Sequence, residues 1–339
     1  MYGGRSMDVS LTLDFRNPTR RPWRELWEDN LWLMREAEAM GFSQLLVQEH
    51  FFTSDGYGPS VPIFLTALAE RTQTARLGSY LYILPLHNPV ALAQEIAVLD
   101  NFCGGRLDVV LGAGHRPLEF CAFNVSPKTR PSRMEEHLDL LELAWSGEPF
   151  SYQGRYYDLA DVQVQPAPLQ KPHPPVWIGG TRPAAAERAG RRGFNLAAAS
   201  AEPEFFDAYL SAREAAGYPM QTAQISKPWS ITTTYEDPEV VWDRYADLHI
   251  ERWSFYSKIR AEMGDPELTL QVGNETKPYR HNELIGSPEQ IVEKLQEVRE
   301  KLPFTRLVTD ATAGIPVREV TYPSLKLFAD RVMPELARL

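Results

Sequence analysis

Eight short runs of β-branched and aliphatic residues, each followed by a longer amphipathic run, set the strongest limit on what this chain can fold into. The strand runs cover residues 9–15, 44–48, 76–84, 107–112, 176–179, 195–199, 224–234 and 305–309. Between them the apolar spacing predicts helices over 23–40, 60–71, 90–101, 133–145, 183–192, 203–216, 238–249 and 288–301, with a last one near 318–339. The helix starts have local causes. Ser287-Pro288-Glu289-Gln290 offers an N-cap hydroxyl, a proline in the first turn and a glutamine that can close a capping box. Ile291, Val292, Leu295, Val298 and Leu302 then form one apolar stripe. Repeated strand–helix units demand parallel strands, because each crossover must return over the same sheet. Eight such units predict an α/β fold closed into a (β/α)8 TIM barrel, with an open doubly wound sheet as the alternative.

Two stretches exceed a minimal barrel. One follows the fourth strand (113–175) and carries a Pro- and Tyr-rich connection; the other precedes the eighth (250–286) and holds Trp253, Phe255, Tyr256 and Tyr279. Long insertions in compact domains tend to be lids or binding loops. With 339 residues, 43% of them apolar, the chain supports one large core, so a single domain over 7–339 is expected, residues 1–6 being an extension ahead of an alternative start at Met7. Lys and Arg number 35 against 45 Asp and Glu, a net charge of −10 that argues against a sequence-independent nucleic-acid binder. Cys103 and Cys121 are the two cysteines, with no CxxC pair and no histidines at ligand spacing, so neither a disulfide framework nor a metal site is expected. Residues 1–6 lack a signal-peptide core and no uninterrupted apolar run approaches ~18 residues, so a cytoplasmic protein without a membrane span is expected.

Barrel chemistry sits at the C-terminal ends of the strands. Glu49-His50 ends the second strand, where His50 can act as acid–base group or as a donor to a polar cofactor edge, while Glu49 reads as a structural carboxylate paired with a barrel Lys or Arg. Gly179-Gly180-Thr181-Arg182-Pro183 joins the fifth strand to a helix start, a recurring cradle for an anion. Gly112-Ala113-Gly114 lacks the third glycine of a nicotinamide fingerprint, Pro117 standing in its place, and reads as a tight turn. His87, between Pro85 and Pro89, reads as a packed structural histidine; His115, after the fourth strand, is better placed for chemistry.

Taken together, these stretches resemble the bacterial luciferase family of flavin-dependent monooxygenases and oxidoreductases over residues 7–339. The resemblance is carried by Gln48-Glu49-His50-Phe51-Phe52 and by Leu84-Pro85-Leu86-His87-Asn88-Pro89-Val90 with Leu92-Ala93-Gln94-Glu95. Gly104-Gly105-Arg106, Leu111 to Gly114, Arg133-Met134-Glu135-Glu136, Trp145 to Pro149 and Gly154 to Tyr157 follow in order. Pro174 to Gly180, Gly286-Ser287-Pro288-Glu289 and Val332-Met333-Pro334 complete it.

The resemblance implies a two-component monooxygenase. A separate flavin reductase would supply reduced FMN, which would react with O2 to a C4a-peroxyflavin that oxidises a medium-sized organic substrate. It makes His50 the catalytic histidine, with Phe51 standing where a second histidine is common. It places a non-prolyl cis peptide at Tyr80-Leu81 behind the flavin ring, and the phosphate near Gly180, Thr181 and Arg182. His115 takes the place of an arginine after the fourth strand. A homodimer is implied as well. The alternatives are F420-dependent hydride transfer on the same fold, with Arg116, Arg182 and Arg191 or Arg192 meeting the longer acidic tail, and a non-catalytic flavin-binding barrel. A lyase or hydrolase built on Glu49 and His50 is the reading without flavin. Phe15, Tyr57, Tyr82, Trp229 and Tyr279, chosen from strand ends and the late insertion, are the expected substrate-pocket residues.

Overall fold

The computed structural model describes residues 7–58, 60–262, 272–273 and 276–338. The extension 1–6 lies outside the described residues. Eight strands form the barrel: β1 (Asp8–Leu13), β2 (Gln44–Val47), β3 (Arg76–Ser79), β4 (Leu107–Gly112), β5 (Val176–Gly180), β6 (Asn195–Ala198), β7 (Ile225–Pro228) and β8 (Arg306–Asp310). Each pairs in parallel with its successor, and β8 pairs with β1 to close the ring. The expected TIM barrel is therefore the fold.

Strand parity decides what lies inside. Leu11, Leu45, Leu77, Val109, Ile178, Leu196, Ile225 and Leu307 face outward and join the helices in the main apolar core. Alternate residues point into the barrel, where Val110, Trp177 and Ala197 pack with Tyr80 and Leu81. At the N-terminal end the interior is polar. The Ser10 hydroxyl donates to Gln44 Oε1 (3.0 Å), and Arg76 donates to both Asp108 carboxylate oxygens at 2.9 Å. A network at that end stabilises the fold and leaves the opposite mouth for chemistry.

The outer layer contains α1 (Trp23–Ala39), α2 (Val61–Ala69), α3 (Pro89–Phe102), α4 (Arg130–Trp145), α5 (Pro183–Arg191), α6 (Pro203–Ala215), α7 (Pro238–Glu262), α8 (Pro288–Lys301) and α9 (Tyr322–Arg331). Asn88 caps α3 by accepting from the Val90 and Ala91 amides, and the Ser287/Gln290 capping box opens α8 as the sequence indicates. After β4 the insertion contains a short helix (Pro117–Ala122) and an antiparallel hairpin, Phe150–Gln153 with Asp158–Val162. Glu136, buried on α4, holds the loop beside this hairpin by accepting from the amides of Arg155, Tyr156 and Tyr157.

The second insertion differs from the sequence reading. The helix expected to end at His249 runs on to Glu262, with a kink at Tyr245 (φ −124°, ψ 15°). His249 anchors it beneath stacked Trp242 (ring centroids 5.0 Å apart), 3.3 Å from the Thr312 hydroxyl and 3.2 Å from the Glu283 carboxylate. Burial works against the charge on Glu283, yet hydrogen bonding to His249 and the charge of Arg252 outweigh it and hold the carboxyl below its ordinary range. The distal half of α7 is thereby drawn across the barrel mouth.

Candidate active site

His50 lies just past β2 at the mouth and is 7% exposed. Its Nδ1 is 2.9 Å from Glu119 Oε1, and the same oxygen accepts the Phe51 amide at 2.9 Å. Glu119 comes from the first turn of the short helix after β4 and is wholly buried. Arg116, one turn earlier, sits 3.8 Å from that carboxylate and donates to the Phe51 and Phe52 carbonyls. Tyr57 packs edge-on against the imidazole at 4.5 Å, His115 at 5.7 Å and Phe255 at 5.8 Å. The Tyr57 hydroxyl donates to Gln48 and hydrogen-bonds the Tyr256 hydroxyl. Burial pushes the Tyr57 phenol well above its ordinary range, so it stays protonated.

Arg252, Phe255 and Tyr256 occupy one face of α7 at helical spacing and reach down together. Arg252 binds Asp310 and lies 3.2 Å from the Ser230 hydroxyl. Phe255 meets Arg16 (5.6 Å) and Arg116 (5.7 Å) at its ring. The result is an enclosed histidine with an aromatic wall and a helical lid.

Behind it the Tyr80–Leu81 peptide bond is cis. Tyr80 turns into the barrel and packs against Val110, Trp177 and Ala197, and burial raises its phenol above the ordinary range. The Leu81 side chain fills the space over Gly112 and Gly179, where an added Cβ would lie 2.6 Å and 2.3 Å from it. These two glycines explain how a leucine fits across the barrel top.

On the β4–β5 side the β4 loop meets the start of α4, and Gly180-Thr181-Arg182 leads from β5 into α5. Arg130 donates to the Gly114 carbonyl at 2.8 Å, and burial alone pulls its guanidinium below the ordinary value. Arg133 lies over the Tyr156 ring at 4.2 Å, with Nε buried and unpartnered. Neither arginine has a carboxylate partner among the described residues. A desolvated cation without a counter-charge, in the first turn of α4, is a setting that an anion relieves. These groups fit a phosphate.

Other expectations sort differently. Tyr57 and His115 join His50; Phe15 lies outside that cluster but walls the cavity at the end of β1 beside Arg16, while Tyr82 and Trp229 line neither. Phe15, 1% exposed, stacks on Phe64 at 4.1 Å; Tyr82 and Trp229 pack with the outer core. Parity is the cause: these side chains turn to the helix side of the strands. Tyr279 is buried in the loop ahead of Glu283, its backbone at φ 64°, and has no ring contact with His50 among the described residues. Glu49 is structural as expected, but among the described residues it is paired with neither Lys nor Arg. It accepts the Ile83 amide (2.7 Å) and lies 3.0 Å from His87 Nε2. His87 is thus the packed structural histidine the sequence suggests. Burial lowers its basicity, and the Glu49 charge more than restores it, raising the net value. Arg191 and Arg192 are held by Glu135, and Arg192 also by Asp139 and Glu142. Glu119, Arg16, Arg252 and Arg130 were not singled out from sequence as flavin-site residues. Glu119 sits 69 positions from His50, with no local signal linking them.

A cavity of about 430 Å³ opens to one side of the mouth, between the end of β1, α1 and the loop after β8. Leu13, Phe15, Asn30, Thr312 and Ile315 are among its walls, and Arg16 is shared between it and the Tyr57–Phe255 cluster.

A family profile described as luciferase-like monooxygenase matches residues 7–306. The chain belongs to that family. Over 166 residues it is 34% identical to an FMNH2-dependent dimethylsulfone monooxygenase of Pseudomonas putida, covering 47% of this chain and 45% of the relative. Over 164 residues it is 30% identical to an F420-dependent glucose-6-phosphate dehydrogenase of Kineococcus radiotolerans, covering 47% and 48%. The chain spans about half the length of the curated relatives it matches. The structure of monooxygenase RslO1 from Streptomyces bottropensis superposes with a TM-score of 0.81 at 23% identity, over 98% of this chain and 100% of that one. Luciferase-like relatives thus include both FMNH2-dependent monooxygenases and F420-dependent dehydrogenases, oxidoreductases on one barrel. Among the described residues no helix is long and apolar enough to cross a membrane, and no group of three or more His, Cys, Asp or Glu could hold a metal ion.

Proposed function

We propose that this protein is the oxygenase of a two-component monooxygenase, receiving reduced FMN from a separate flavin reductase and oxidising a medium-sized organic substrate with O2. The observation that carries the reading is His50, enclosed at the mouth beside the phosphate-ready arginines of the β4–β5 side. Bound reduced FMN would supply the electrons that activate O2 for transfer of one oxygen atom. The chain's own part is binding, orientation, water exclusion and proton control. Arg130, Arg133 and the Gly180-Thr181-Arg182 turn would hold the phosphate, and Leu81 and Tyr80 would back the ring. His50 would hold or release a proton at Nε2, the nitrogen that Glu119 leaves available. Phe255, Tyr57 and Tyr256 would keep bulk water from that proton. The cavity beside Arg16 suits a medium-sized organic substrate.

The F420 reading needs more cations at the mouth for a longer acidic tail. Arg191 and Arg192 are committed to carboxylates, and Arg116 to the Phe51 loop and Glu119, which favours FMN. A homodimer would use the face where Ile63 on α2 and Val98 and Phe102 on α3 stand 68%, 47% and 51% exposed. Anaerobic titration with reduced FMN and reduced F420 tests the cofactor. FMN is expected to bind at least about ten-fold tighter, a difference of about 1.4 kcal/mol. Tighter F420 binding would move the protein to hydride transfer.

A further inference from the structure

We propose that Glu119 is the positioning residue that fixes His50 as its Nδ1–H tautomer and so presents Nε2 to the mouth. The tautomer follows from the hydrogen bonds alone; its use in oxygen chemistry rests on the flavin reading. Glu119 Oε1 faces three groups at once: His50 Nδ1 at 2.9 Å, the Phe51 N–H at 2.9 Å and Arg116 Nη1 at 3.8 Å. Oε1 accepts the amide hydrogen and faces the guanidinium, both donors, so this oxygen is placed as an acceptor, while Oε2 is buried and has no hydrogen-bond partner among the described residues. The hydrogen between Glu119 and His50 therefore belongs to Nδ1. Neutral His50 then carries its lone pair on Nε2, while protonated His50 donates from Nε2 with Glu119 as counter-charge. Tyr57, His115 and Phe255, each edge-on to the imidazole, restrict the ring flip that would exchange the nitrogens. A carboxylate behind an imidazole acts in this way when it sets tautomer and orientation without itself reacting. Phe51 takes part through its backbone: its amide shares the Glu119 oxygen, so the loop and the ring are held by one atom.

The test is long-range proton–nitrogen correlation NMR on 15N-histidine protein without cofactor, for wild type, Glu119→Gln and Glu119→Ala. His50 is identified by the signal lost in His50→Ala. Wild type is expected to show a protonated Nδ1 and an unprotonated Nε2. Glu119→Gln keeps an acceptor oxygen and is expected to keep that pattern. Glu119→Ala removes it, and the protonated-type signal is expected to shift to Nε2 or average between the nitrogens. Reduced-FMN affinity is expected to stay within about three-fold in both variants, as for an interaction not made with the bound flavin. A wild-type Nε2–H tautomer, or an unchanged nitrogen pattern in folded Glu119→Ala, overturns the proposal. If Glu119→Ala does not fold, a Glu119→Gln protein that loses the wild-type pattern overturns it equally. Failure of all three proteins to bind reduced FMN refutes the flavin reading, while the nitrogen pattern still decides the role of Glu119.

Discussion

His50→Ala is expected to slow substrate oxidation by about 10²–10⁴-fold, the range for a positioned acid–base group, while reduced-FMN affinity changes by no more than about three-fold. His50 is enclosed by Tyr57, His115 and Phe255 and bound at one nitrogen by a wholly buried carboxylate, so its other nitrogen is the polar group this pocket keeps oriented. The substitution removes that group and leaves the phosphate side untouched. It also strands Glu119 without one partner, although the Phe51 amide and Arg116 still face the carboxylate. The measurement is oxygen consumption with a flavin reductase and the organic substrate, set against anaerobic binding of reduced FMN. Loss of binding in proportion to loss of rate would make His50 a structural residue.

Arg130→Ala combined with Arg133→Ala is expected to raise the Kd for reduced FMN by about 10²–10⁴-fold, taking about 1.5–3 kcal/mol for each charge-assisted hydrogen bond. Both arginines stand without a carboxylate partner among the described residues, and the Arg130 guanidinium is lowered by burial alone, so each has charge to give to a phosphate. Reduced riboflavin, which lacks the phosphate, supplies the control: its affinity is expected to change by no more than about three-fold. Equal weakening of FMN and riboflavin would show that the double variant distorts the mouth. No weakening of either would move the phosphate to the Gly180-Thr181-Arg182 turn.

The barrel was legible because its strands and helices differ in period, and because residues such as Ser287 and Pro288 mark helix starts by local chemistry. His50 and Tyr57 were legible from their place past the end of the second strand. Depth and direction were harder to read. Phe15, Tyr82 and Trp229 stand near strand ends yet face the helices, since one step along a strand exchanges interior for exterior. The lid was half visible: Phe255 and Tyr256 were noticed as insertion aromatics, but the helix that carries them was expected to stop at His249. Its continuation depends on tertiary anchors, His249 to Glu283 and Arg252 to Asp310, which join distant parts of the chain. Glu119 was not legible for the same reason. Its partner is supplied by tertiary folding, in which the loops after β2 and β4 meet past the end of β3 that lies between them, and no local pattern encodes that meeting.

The central claim is tested most directly by mixing the anaerobic complex of this protein with reduced FMN against oxygenated buffer in a stopped-flow spectrophotometer. The account predicts a transient species, spectrally distinct from both reduced and oxidised flavin, that decays more slowly than free reduced FMN reoxidises, because the lid shields it from water. Reoxidation in one phase at the rate of free reduced FMN, with no transient, would contradict it.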